Sequence, residues 1–168
     1  MAARIASETR VNLPSIFLAG FVATIVMSTI MAISQGMGYT RMSIPLLLGT
    51  IFTPGRDRAM VVGVAVHFVN GLVFALLYGA VFEALRMSTL LLGAVAGLIH
   101  ALFVLTIGMI VLPGLHPHMV SEYYGPTPNR VLQPPGFLAL HYGRGTPIAT
   151  ILAHVLYGVV IAALYHVG

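Results

Sequence analysis

The sequence predicts an all-α polytopic membrane protein, a bundle of four transmembrane helices. Three observations predict it. Of the 168 residues, 58% are hydrophobic and only 7% are charged, against about 25% charged in an ordinary soluble domain. Four apolar stretches, 13–34, 59–85, 89–112 and 146–167, approach or exceed the roughly 20 residues that cross about 30 Å of hydrocarbon. Two of them also carry a ladder of mostly small residues at a spacing of four, which lines one helix face. The second stretch has Gly63, His67, Gly71, Ala75 and Gly79; the fourth has Thr150, His154, Gly158, Ala162 and His166. The length suits one membrane domain over 1–168.

The first stretch follows Arg4 and Arg10, as the core of a signal peptide would. It exceeds the roughly 7–15 residues of such a core and lacks a small-x-small cleavage site, so a retained helix is expected. Pro14 and Pro147 fall in first turns, where a missing N–H costs nothing. In the first link, Ser43 before Ile44 and Pro45 reads as a helix start and predicts a short interfacial helix. A few residues around Arg86, Met87 and Ser88 join the second and third stretches, which forces an antiparallel hairpin. Pro113 and Gly114 are expected to end the third helix. The long loop, 113–145, is rich in Pro, Gly, His and Tyr, and loops of this length are functional or disordered. Its segment 137–142 is expected on the membrane surface.

The first and third stretches share a pattern: Gly20, Thr24, Ser28 and Ala32 against Thr89, Gly93, Gly97 and Ala101. The chain therefore reads as a tandem repeat of a two-helix unit, its halves related by an axis along the membrane normal. It reads equally as a set of small-x-x-x-small ridges, which let membrane helices approach closely.

Charge excludes one class of partner. The formal charge is +4 and every cation is an arginine, scattered singly at segment ends with no basic block. That pattern suits residues at headgroup level and points to a lipid bilayer, with no nucleic acid. Five arginines fall on the long-loop side and three on the terminal side, which leans the long loops towards the cytoplasm. The absence of cysteine removes disulfides, thiolate metal sites and cysteine-ligated iron–sulfur clusters.

Histidines carry what chemistry the sequence offers. His67 lies eight residues into the second stretch and His154 eight into the fourth. Both stretches enter from one side, so both rings lie about 12 Å deep at a 1.5 Å rise per residue. His100 is expected about 18 Å from the same face by the same rise, and Asn70 is one turn beyond His67. Ionisable residues in a span usually face the bundle interior or a wet cavity. Neutral imidazole is the form that ligates metals. His67 and His154 would suit the axial pair of a haem b; with His100 they would suit a three-nitrogen site for a divalent metal. The rival reading is packing glue, each ring hydrogen-bonding across a helix interface. A weaker metal set lies in the long loop: His116, His118, Glu122 and His141. Pro117 keeps it off a helix. Glu83, on the opposite side, is expected at the interface. Tyr78 and Tyr165, each eleven residues after a histidine, are expected in an aromatic belt.

No phosphate loop, nucleophile elbow or HExxH motif occurs. No Asp, Lys or Arg lies near the middle of a span, which argues against a pump with a carboxylate relay.

The run Gly20-Phe-Val-Ala-Thr24 and the run from His67 through Asn70 and Phe74 to Tyr78 resemble small bacterial four-helix membrane proteins of uncharacterised families. The resemblance covers the first two helices best and the long loop least. It implies a bacterial inner-membrane protein and supplies no catalytic residue. Three functions stay open. The leading one is a non-enzymatic accessory or scaffolding component, forming homo- or hetero-oligomers through its glycine-rich helix faces. The others are a histidine-ligated haem or metal protein in electron transfer or metal handling, and a small transporter or channel with a histidine-lined path.

Overall fold

The computed structural model describes residues 11–120, 125–128, 130 and 132–167. It shows six α-helices: α1 (Leu13–Gly36), α2 (Ile44–Gly49), α3 (Arg56–Leu85), α4 (Leu90–Phe103), α5 (Met109–Leu115) and α6 (Thr146–Leu164). A π-helical turn, Val104–Gly108, joins α4 to α5, and a 3-10 segment, Phe137–Tyr142, precedes α6. Counting α4, the π turn and α5 as one apolar rod, four helices are long and apolar enough to cross a membrane. The protein is thus a multi-pass membrane protein built as a four-helix bundle.

Local chemistry explains the helix starts. Asn12, Ser43 and Thr89 cap α1, α2 and α4, their side-chain oxygens accepting from the backbone N–H of Ser15, Leu46 and Leu92. The short interfacial helix begins at the expected serine. Between α3 and α4, Arg86 adopts a left-handed conformation (φ 53°), and the Met87 N–H returns to Phe82 O. That turn reverses the chain in a few residues.

Pro113 does not end the third span. It sits inside α5, two residues before the helix finishes at Leu115, where few intrahelical bonds remain for it to break. The fourth span ends at Leu164 rather than at residue 167. Tyr165 turns extended there, and its N–H still caps Ile161 O.

Small residues decide which helices meet. α4 packs along α6, α6 along α1, and α1 along α3, with α2 laid across α3. A Cβ added at Gly97 would strike the backbone of His154 and Val155; one added at Gly71 would strike the Thr24 side chain. The α3 and α6 ladders therefore do not pack on each other. The α3 ladder faces α1 and α2, and the α6 ladder faces α4. The hairpin partners α3 and α4 do not pack closely along their lengths. Phe74, Tyr78 and His100 fill the gap between them. Exposed aliphatic side chains such as Leu18, Val61, Leu91 and Ile148 cover the outer faces, as lipid requires.

Gly97→Leu is expected to destabilise the detergent-solubilised protein by roughly 1–3 kcal/mol through overpacking. Leu91→Ala, on the lipid face, should leave the thermal midpoint nearly unchanged; circular-dichroism melts compare the two.

Candidate functional site

The half of the bundle nearer the long loops contains a cavity of about 220 Å³. α1, α3, the π turn with its flanking helices, and α6 form its walls, and Leu47 and Leu48 of α2 reach it as well. The geometry follows from the packing. Close backbone contact between α4 and α6, and between α1 and α3, leaves the α3–α4 side splayed, and the space persists where no large side chain fills it.

All three span histidines line this cavity. His67 and His154 are buried, and His100 is half-buried. Their hydrogen bonds fix two tautomers. Ser28 Oγ donates its one hydrogen to Thr24 O at 2.7 Å. It must therefore accept from His67 Nε2–H, 3.1 Å away, which leaves a lone pair on His67 Nδ1. His154 Nδ1 lies 2.8 Å from Thr150 O. A carbonyl only accepts, so Nδ1 carries the proton and His154 Nε2 carries the lone pair. His100 stacks on Phe74 at a centroid distance of 3.9 Å, meets Tyr78 OH at 3.4 Å through Nδ1, and meets the His154 ring edge-on at 4.7 Å.

Two residues of the wall, His67 and His154, thus each keep a lone pair on a neutral imidazole. Among the described residues the one buried side-chain polar atom without a partner is Thr150 Oγ1, which also lines the cavity. The free nitrogens of His67 and His154 are therefore not sealed in the protein interior.

Among the described residues no three His, Cys, Asp or Glu side chains are arranged to hold a metal ion. In His67, His100 and His154 one nitrogen of each ring is engaged with Ser28, Tyr78 or Thr150, which leaves the second nitrogen of each ring without a hydrogen-bond partner among the described residues. Tyr157 OH donates to Gly71 O at 2.5 Å, about one turn from both histidines. That bond bridges α3 and α6. Asn70 lines the cavity as expected and is otherwise exposed.

The loop histidines separate into two groups. His116 is buried, and its Nε2–H lies 3.0 Å from Leu47 O and 3.2 Å from Thr50 Oγ1. Its Nδ1 accepts the His118 N–H at 3.1 Å. His118 Nδ1 donates to Thr50 O at 2.5 Å. Both rings therefore fasten the segment after α5 onto the end of α2, beside Leu47 of the cavity wall. His141 lies apart, exposed, donating to Pro134 O at 2.9 Å. Glu122 lies outside the described residues. Nearby, Tyr142 OH donates to Gln133 O, and burial pushes its hydroxyl up to about 12 although Arg41 opposes the shift.

Three residues expected at the membrane surface, Glu83, Tyr78 and Tyr165, are inside. Glu83 is buried and accepts from Tyr165 OH at 2.6 Å. Tyr78 is buried against His100, Phe82 and Tyr157. Four methionines of the cavity wall, Met27, Met31, Met42 and Met109, were not singled out in the sequence. The signal was present in Met27 and Met31, a spacing of four on the first span.

No protein-family model, curated protein or solved structure matches the chain.

His116→Ala removes the bonds to α2 and is expected to cost about 1–3 kcal/mol. Burial holds the His116 pKa below its ordinary value. The unfolded chain therefore binds a proton near pH 6.5 while the folded chain does not. The fastening is intact above about pH 6.5 and weakens as pH falls below it. Hydrogen exchange in Ile44–Gly49, corrected for intrinsic rates, should rise on going from about pH 7.5 to about pH 5.5. In His116→Ala this added loss of protection should shrink.

Proposed function

We propose that this membrane protein is a non-enzymatic component that works through its intramembrane cavity, admitting a small ligand from the long-loop side to a path lined by histidines. One observation carries the reading: His67, His100 and His154, from three different helices, line a single cavity, and His67 and His154 each keep a ring nitrogen free. Such a convergence of polar groups on an apolar pocket is the usual form of a small-molecule site. Polar side chains in a span are retained where they serve a pathway or a site. The α2–loop fastening gives the cavity a mouth, since α2 contributes wall residues and His116 holds it down.

An accessory or scaffolding component forming oligomers is the rival reading. The glycines that motivated it meet neighbouring helices of the same chain: Gly20 meets Ala75, Gly71 meets Thr24, and Gly93 meets Gly158. Oligomers would have to form through the aliphatic outer faces instead. A bacterial inner membrane remains the proposed location, on the resemblance of the first two helices.

The chain has no cysteine, so single engineered cysteines report access cleanly. Met31→Cys and Leu112→Cys are expected to react with a small water-soluble thiosulfonate in proteoliposomes. Leu91→Cys, facing lipid, should not. Equal inertness at all three positions would overturn the proposal.

A further inference from the structure

We infer that the cavity is a site for a soft monovalent metal ion of the Cu(I) or Ag(I) class, held by methionine sulfur and histidine nitrogen together. This deepens the proposed function and rests on the cavity being reachable.

The donor set is the argument. Met27 and Met31 come from α1, Met42 from the α1–α2 link and Met109 from the start of α5, and all four line the cavity. Each is buried, between 0% and 7% exposed. Nine methionines occur in the whole chain, so four of the nine thioethers belong to one pocket. Thioether sulfur is a soft donor that selects Cu(I) among the biological metals, and imidazole also suits copper. The hydrogen bonds above leave lone pairs on His67 Nδ1 and His154 Nε2 in the same wall.

Charge points the same way. Among the described residues no Asp, Glu or arginine lines the cavity, and the chain has no cysteine to supply a thiolate. A dication in such a place would have no anionic ligand to offset its desolvation. Born energy grows with the square of the charge, so a monovalent ion loses about one quarter as much hydration on entry. Hard or borderline dications are disfavoured here. That agrees with the absence, among the described residues, of any His, Cys, Asp and Glu triplet fit for a metal. Methionines also fill irregular gaps in cores; the open space they border, with imidazole lone pairs on the same wall, is what a gap-filling role does not explain.

The test is an anaerobic Cu(I) titration of the full chain in nanodiscs against a chromophoric Cu(I) chelator, followed by X-ray absorption at the copper edge. One Cu(I) per chain is expected, with both sulfur and nitrogen scatterers. Met31→Leu with Met109→Leu conserves volume and should weaken retention at least tenfold and reduce the sulfur signal. His67→Ala should weaken it as well, while Met37→Leu with Met87→Leu, both exposed, should not. Zn(II) should be held far more weakly than Cu(I). Failure to retain Cu(I) against the chelator, or retention indifferent to the cavity variants, would sink the inference. The cysteine-access pattern separates the two failures: an accessible cavity that ignores Cu(I) leaves the proposed function standing, and an inaccessible one removes both.

Discussion

The close approach of α4 to α6 governs the rest of this structure. Gly93 and Gly97 let the α4 backbone settle onto the backbone of α6 at His154 and Gly158, where no side chain fits between. In a bilayer, helix association depends on such van der Waals contact, because lipid tails are as apolar as the helix surfaces. α1 and α3 repeat the arrangement through Gly20, Ala75, Thr24 and Gly71. With those pairs fixed, and α1 packed on α6, the remaining pair must splay. If the halves were true repeats, α3–α4 would mirror α1–α6. It does not, and the difference between the two is where the cavity lies.

The second constraint is that polar groups must find partners inside the bundle. They do so locally wherever they can. Thr24 and Ser28 donate to carbonyls one turn back, as does Thr106. These local bonds have distant effects: because Ser28 has no hydrogen left to give, His67 takes one tautomer and not the other. At the opposite end of the bundle, Glu83 and Tyr165 satisfy each other, and Tyr165 OH also accepts from the Asn12 N–H at 3.2 Å. That cluster ties both ends of the chain's described core to α3.

Four spans, their starts and the serine-capped α2 were legible because each depends on local sequence: apolar length, a capping side chain, a proline in a first turn. That His67 and His154 would face one interior space was legible from the same rise per residue. Helix pairing was not. Connection through Arg86 suggested that α3 and α4 would be neighbours, but the glycine ladders choose partners by surface fit, and both α3 and α6 spend theirs elsewhere. His116 and His118 looked like metal ligands for the same reason. Their acceptors are backbone carbonyls of Leu47 and Thr50, far away in sequence, and a carbonyl has no signature among the residue letters. The four cavity methionines read in the sequence as ordinary core residues, and only convergence in space sets them apart.

The π turn at Val104–Gly108 has a consequence for what lies beyond it. An α-helix advances about 100° per residue, and a π bulge holds one residue more than the helix it interrupts. Everything downstream is therefore phased by that surplus residue. Met109 and Leu112 point into the bundle because the bulge has already swung them round. Were it to migrate along the rod by a turn, as such bulges allow without breaking the chain, Met109 would be carried towards the acyl chains and the pocket would lose a donor. The span is thus a screw whose pitch, set by Val104–Gly108, decides which side chains the interior sees.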